Sequence, residues 1–524
     1  MTSTFNHGAS RTLSRSLAAA DEFEAQRFDF ASVAIIVVTA IIFAHVYTVF
    51  PGTPSGPGVS GWEGWWDQSN YIKSARALAR GDFAAENHWY QIGYSMLGAP
   101  FAYIGMRDPF VAVNLISLIA FVLLFIRLFS PVIGRPAAAC ALAIGLLLPT
   151  RITVPHVTDW VVASQFVIPW NTNPIAPLYL GILLIMRRLP ADERFHKDVV
   201  LGLLVGAVAA LRLADVVALV PVGLAYTFLR LRAAEPVKHV AIAVTGALLV
   251  FVPFLVLTWK IHVGLGSAYV DQATLIGVSF SDLHERFMVV FIDSSTVFDT
   301  DGLSIRSLQP WLMLLAPFAI FWAVADGRSG RLVVAVMAMS VAFYLAFNDF
   351  WPLNILQYYL IHYIAWIFPM IVAAGFAGAV VSVRQRRWRS LAACLIGALA
   401  LTQVSYTVRP IDAEIGIAQD PESATTTYTV ELDRQREIDA VDLLGAAAAE
   451  GLDITLQTAV ITAGEGEPLD LFKGYRLIQT RSGVRIIFNK HIRTKTLVIA
   501  VTDTLDGAPS DGDAIVVLRK AIGF

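Results

Sequence analysis

Apolar residues in this chain run in long blocks separated by short polar stretches, a pattern unlike the one-sided faces of a soluble fold. A helix needs roughly 20 apolar residues to cross the hydrocarbon of a bilayer, and fewer where protein shields its ends. About eleven blocks fit, near 30–50, 110–130, 135–150, 174–188, 198–212, 214–231, 239–259, 308–325, 331–348, 354–381 and 391–407. The pair at 198–231 is split by Arg212-Leu213-Ala214-Asp215. The pattern predicts an all-α polytopic membrane domain over 30–407, preceded by a polar tail over 1–29.

Beyond residue 408 the pattern changes. Thr427–Val430, Tyr475–Gln479, Val484–Phe488 and Thr496–Val501 alternate as strands do. A helical run is expected from Arg434 to Glu450, stopped near Gly451. The expectation for 408–524 is a small α/β domain outside the membrane, used for docking or for positioning an acceptor.

Basic residues set the expected orientation. Arg135, Arg187-Arg188, Arg194, Lys197, Arg230, Arg232, Lys238, Arg328, Arg331, Arg384, Arg386, Arg387 and Arg389 fall in every second loop. This puts the N-terminus in the cytoplasm and the loops 51–109, 151–173 and 260–307 outside, together with the C-terminal domain. The polar start holds Arg11, Arg15 and Arg27, and no cleavable apolar segment precedes the first block, which reads as a signal anchor. The expected location is a bacterial inner membrane.

Composition agrees. Of 524 residues, 56% are hydrophobic and 15% charged, against about 25% charged in soluble domains. A net charge of −2 with no basic patch gives no reason to expect nucleic acid. Cys140 and Cys394 both lie in apolar runs, which argues against a disulfide framework or a cysteine metal site.

The candidate chemistry begins in the loop 51–109. Gly61-Trp62-Glu63-Gly64-Trp65-Trp66-Asp67-Gln68-Ser69-Asn70-Tyr71 places a carboxylate among aromatics at the mouth of the first span. Tyr71 to Ala79 reads as an amphipathic helix lying on the membrane surface, with Gly81 as its stop. Glu86-Asn87-His88-Trp89-Tyr90-Gln91 and Gly93-Tyr94-Ser95-Met96-Leu97 follow.

In these features the chain resembles the GT-C superfamily of polyprenyl-phosphate-sugar-dependent glycosyltransferases. That superfamily includes the protein O-mannosyltransferases, the aminoarabinose lipid A transferases and the galacturonosyl transferases. Asp67, Tyr71, Gly81 and Gly93-Tyr94 fill the places of its first-loop pattern, with Ser95 where a proline is usual. Arg212-Leu213-Ala214-Asp215 and Tyr358-Tyr359-Leu360-Ile361-His362-Tyr363 resemble its later Arg-acid and Arg-Tyr stretches. The resemblance covers the membrane domain, and the C-terminal part only in position. It implies a sugar on a polyprenyl phosphate as donor, a lipid, glycan or protein hydroxyl as acceptor, and inverting transfer on the outer face. The partners would thus be that donor, the acceptor and membrane lipids.

Such a transfer needs a base for the acceptor hydroxyl and cations for the departing phosphate. Asp67 is the candidate base, an assignment the resemblance also implies; the alternative is an Asp that caps the following helix. Asp159 matches the family's second acidic residue by order. A surface Asp is the alternative there. Arg212, His362 and Arg151 are candidate phosphate contacts, against a structural Arg212–Asp215 pair and a core histidine. Trp66, Tyr71 and Tyr94 are candidate substrate contacts. Glu86 with His88, and His156 one helical turn from Asp159, could hold a divalent metal (Mg, Mn or Zn); a polar loop histidine is the alternative for His88. No organic cofactor is expected. In the loop 260–307 the stretch Phe280 to Phe291 reads as a surface helix with a solvated face.

Two rivals have their own signatures. A flippase of lipid-linked sugars would carry charges at mid-membrane and inverted repeats, and an O-antigen ligase or polymerase a late outer loop rich in Arg and His. Neither is found. A third rival, a non-catalytic relative that binds a partner, is left to experiment.

Overall fold

A computed structural model describes residues 30–55, 61–148, 161–189, 195–233, 235–262, 267–270, 277–278, 280, 283–293, 304–347, 362–404 and the strands between 407 and 522. The helices are α1 Phe30–Val49, α2 Trp66–Ala79, α3 Ile92–Tyr103, α4 Val111–Ile133, α5 Arg135–Leu147, α6 Val162–Gln165, α7 Thr172–Arg188 and α8 His196–Leu211. They continue as α9 Val220–Arg230, α10 Pro236–His262, α11 Leu283–Phe287, α12 Ile305–Leu308, α13 Pro310–Ala325, α14 Arg328–Ala346, α15 Ile367–Arg384 and α16 Trp388–Gln403.

The chain is an integral membrane protein. Among the described residues, six helical stretches are long and apolar enough to cross a bilayer: α1, α4, Leu213–Arg230 (which contains α9), α10, Ser329–Ala346 and α15. The expected eleven crossings are not all supported. Each predicted block meets a helix, but α5 and α13 are shorter apolar helices of 13 and 16 residues. At about 1.5 Å per residue such helices fall short of a core roughly 30 Å thick.

The interior is built around α15, which packs on α13, α5 and α4. It is the most enclosed span, while α1 and α10 leave most of their surface exposed. α8 and α10 lie backbone to backbone. A Cβ at Gly202 or Gly206 would overlap the carbonyls of Ala243 or Ala247, so only glycine permits this approach.

One end of the bundle is basic and stapled. Arg187 donates to the Leu128 carbonyl at 2.8 Å and Arg384 to that of Val132 at 3.2 Å. The fully buried Asp198 gathers three partners there. Its Oδ1 takes Arg230 (Nη2 at 2.8 Å) and the Tyr226 hydroxyl (2.8 Å), and its Oδ2 meets His239 Nδ1 at 2.6 Å. One carboxylate therefore joins the ends of α8, α9 and α10.

The described residues after 404 are all strands: β1 Thr407–Ile411, β2 Glu414–Asp420, β3 Thr425–Leu444, β4 Thr458–Ala463, β5 Tyr475–Thr480, β6 Gly483–Thr502 and β7 Ile515–Ile522. The sheet order is β1-β7-β3-β6-β4, with β2 on β3 and β5 on β6, and every pairing is antiparallel. This corrects the expected helix over Arg434–Glu450, because β3 continues through Leu444; residues 445–450 lie outside the described residues. The α/β character expected for this part is thus all-β in what is described.

Candidate functional site

The site is assembled at the end opposite the arginine staples. α1 leads into a 3-10 turn, Gly61–Gly64, and then into α2. Asp108 fixes this entry. It is 4% exposed and accepts from the Tyr47 hydroxyl of α1 (2.8 Å), the Trp62 indole (3.0 Å) and the Phe110 backbone (2.9 Å). Burial raises its pKa above the usual carboxylate range, against the pull of these donors.

Asp67 sits in the first turn of α2, half-buried. The residue at the cap position is Trp65, and no side chain caps the helix there, so the capping alternative for Asp67 fails. The Tyr90 hydroxyl donates to Asp67 Oδ1 instead. Tyr90 stacks on Tyr71 with ring centres 4.7 Å apart. Burial, and next the Asp67 charge, hold both phenols well above their ordinary range, so each keeps its proton. Beside this pair, Trp66 meets Trp89 edge-on at 6.2 Å. Tyr269, from the third long connection, donates its backbone N–H to the Trp89 carbonyl (3.2 Å) and rests its ring 5.0 Å from Tyr90.

Arg212 arrives from α8. The helix stops at Leu211, Arg212 is extended, and a 3-10 segment Leu213–Leu219 follows. Two contacts press this break against the first connection. Gln91 Oε1 accepts the Leu213 N–H at 3.0 Å. Gly93 lies so close to Ala210 that a Cβ there would overlap its carbonyl oxygen. The Arg212 guanidinium is then buried over Tyr363 (3.7 Å to the ring centre) and beside Tyr344 (5.1 Å), two rings stacked 4.8 Å apart. Its Nε lies 3.5 Å from Asp215 Oδ2, and Tyr179 donates to Asp215 Oδ1 at 2.8 Å. Arg212 Nη1 is buried with no hydrogen-bond partner among the described residues. A donor on a buried cation that lacks an acceptor is costly, and it is what an anionic ligand would satisfy.

The two halves share one electrostatic neighbourhood. Tyr71 lies in the fields of both Asp67 and Arg212, and so does Tyr363. His362 joins from the side, 2% exposed, stacked on Trp170 at 4.0 Å and 3.7 Å from the Tyr363 ring. Asp67, Tyr71, Arg212 and His362, four of the residues singled out in the sequence, therefore come together. Tyr90, Tyr269 and Tyr344 join them without having been foreseen. A tyrosine twenty-odd residues after a motif acid, inside one loop, was the available signal for Tyr90.

Other expectations change. Tyr94 is fully buried, donates to Asn114 Oδ1 at 2.8 Å and stacks on Phe110 at 4.3 Å, so it is core and not a substrate contact. His88 is also fully buried; its Nδ1 pairs with Ser74 Oγ at 2.8 Å and its Nε2 with the Asp82 carbonyl at 3.0 Å. With both ring nitrogens engaged it is a structural residue, not a metal ligand. Burial lowers its pKa below the ordinary histidine value. Glu86 is exposed, and its carbonyl accepts from Lys73. Among the described residues no group of three or more His, Cys, Asp and Glu is placed to hold a metal ion. Arg151, His156 and Asp159, with Tyr358 and Tyr359, lie outside the described residues. The solvated face expected in the third loop is instead partly core. Met288–Ile292 is a buried π-helical turn, and Arg286, fully buried, donates to the Leu345 carbonyl at 3.0 Å.

No family model and no curated protein matches the chain. Among solved structures it is similar to the arabinosyltransferase EmbB from Mycobacterium smegmatis, at 12% identity and a TM-score of 0.34 over 96% of this chain. The chain spans 66% of that protein's length. So low a score carries no weight for fold or function.

Proposed function

We propose that this protein is a membrane glycosyltransferase that moves a monosaccharide from a polyprenyl-phosphate donor to a hydroxyl of a lipid, glycan or protein on the outer face of the membrane. The observation that carries the reading is a carboxylate, Asp67, held by Tyr90 against the buried Tyr71 ring, together with the buried Arg212 guanidinium over Tyr363, whose Nη1 has no hydrogen-bond partner among the described residues. A carboxylate and an anion-seeking cation beside apolar spans match what transfer from a lipid phosphate needs.

The step balances without an outside reagent. Asp67 takes the proton of the acceptor hydroxyl as its oxygen bonds to the anomeric carbon. The bond from that carbon to the phosphate oxygen breaks, and the electron pair leaves with the polyprenyl phosphate. Arg212 offsets the charge gained by the phosphate. Attack opposite the leaving group inverts the anomeric centre. Tyr90 orients the base, and His362 flanks the phosphate through Tyr363. Asp159 and Arg151 are proposed to complete the donor end from the second outer loop.

The test is transfer of radiolabelled sugar from a panel of polyprenyl-phosphate monosaccharides by the chain in lipid nanodiscs. Wild type transfers, and Asp67→Asn falls by a factor of about a thousand or more, within the range general-base and positioning effects span together, while its melting temperature is kept. Wild-type rates in Asp67→Asn would remove Asp67 as the base.

A further inference from the structure

Trp66 is 68% exposed, yet it directly precedes the carboxylate assigned as base. It does not stand alone. Trp66 and Asp67 on α2 face Trp89 and Tyr90 on the next connection, the first pair joined ring to ring and the second by a hydrogen bond. The position of the two indoles relative to the base is therefore fixed twice over. Asp67 is tied through Tyr90 to the buried Tyr71 ring, and Arg212 is buried over Tyr363; the transferase reading gives these buried groups to the donor. An acceptor that comes to Asp67 from solvent finds the exposed Trp66 beside it in the chain.

We infer that Trp66 and Trp89 form the acceptor subsite and that the acceptor is a saccharide. This rests on the transferase reading above. The face of an indole is electron-rich and its surround apolar. The C–H face of a furanose or pyranose ring is weakly positive and apolar, so it stacks there while its hydroxyls point at the rim. One such ring on Trp66 places the hydroxyl of its neighbour, or its own, at Asp67. A side chain that merely anchors the loop in lipid headgroups needs only bulk and an apolar surface, and that difference is testable.

Two measurements test it. The first follows donor cleavage in nanodiscs with and without short mannose, galactose and arabinose oligosaccharides. Trp66→Leu, which keeps an apolar side chain but removes the flat face, should raise the acceptor KM about tenfold, the scale of one aromatic stacking interaction. Trp66→Tyr should stay within a few-fold of wild type. In both variants the change should fall on the acceptor KM and not on the donor KM. An unchanged acceptor KM in Trp66→Leu, or an equal rise in the donor KM, overturns the subsite and leaves the transferase reading intact. The second measurement is saturation-transfer NMR of the same oligosaccharides on Asp67→Asn protein, with and without Trp66→Leu. A saturation signal that disappears when the indole is removed supports the subsite, and no Trp66-dependent signal from any oligosaccharide overturns it. Wild type that cleaves no donor, with or without sugar, strikes the transferase reading itself.

Discussion

The Tyr90 hydroxyl and the Asp67 carboxylate are 23 residues apart in sequence and hydrogen-bonded in space. The bond joins the start of α2 to the segment that leads into α3, and it makes the loop's acid part of a built site. Tyr90→Phe keeps the stack on Tyr71 and removes only this donor. A hydrogen bond to a charged group contributes about 1.5–3 kcal/mol to stability, so Tyr90→Phe should melt below wild type, and with Asp67 no longer oriented its transfer rate per folded molecule should fall as well. A rate equal to wild type would leave Asp67 positioned by other contacts.

Gly93 sets the distance between α3 and the end of α8. A methyl there overlaps the Ala210 carbonyl oxygen, and backbone cannot yield as a flexible side chain can. Gly93→Ala should cost about 1–3 kcal/mol, the usual cost of overpacking, and should weaken donor binding because Arg212 is two residues beyond Ala210. Thermal unfolding in detergent and the donor KM check the two effects separately.

Asp198 anchors the opposite end of the bundle. Asp198→Ala leaves Arg230 buried beside an alanine, and removing one partner of a buried ion pair costs about 3–5 kcal/mol. Arg230 is 4% exposed, so water cannot readily take the carboxylate's place. The variant should melt well below wild type, while any protein that survives should keep its donor KM, since Arg212 lies at the far end of α8.

His88 gives the first connection a pH dependence of known sign. Its pKa is lowered in the fold, with burial the main cause. The unfolded chain then binds the proton more readily, so the contribution is complete above the unfolded value of about 6.5 and is lost as pH falls below it. His88 therefore lowers stability at pH 5 relative to pH 7.5, opposite in sign to Asp108, whose raised pKa favours the fold as pH falls, so its share is read from the variant. His88→Asn should melt lower at pH 7.5 and lose less melting temperature than wild type on going to pH 5.

The sequence displayed much of this architecture, and its gaps have physical causes. Apolar blocks mark helices because a lipid-facing or enclosed span is apolar all round, and every predicted block meets one. Whether a helix crosses the membrane also depends on its neighbours, which local hydropathy does not carry; α5 at 13 residues is the clear case. In β3 the reading failed for a local reason. Its pairing with β6 shifts register between Glu431 and Arg436 and again between Ile438 and Ala440. Across the second irregularity, where the additional residues lie on β6, the buried Ile438 and Val441 of β3 are three apart, a helix-like spacing in place of the strand's alternation. At the site, Asp67 and Arg212 stood out as charges beside apolar runs. Tyr90 and Tyr344 did not, because a tyrosine near a membrane surface is common and only its partner gives it meaning.

Asp108 ties the end of α1, the Trp62 turn and the start of α4 to one buried carboxylate. The segment bearing Asp67 is thereby riveted at its root to two spans. It belongs to the frame and cannot swing as a door. The Tyr269 backbone N–H and ring are laid on this same frame, at the Trp89 carbonyl and the Tyr90 ring, so the anchorage that starts at Asp108 reaches the third connection as well.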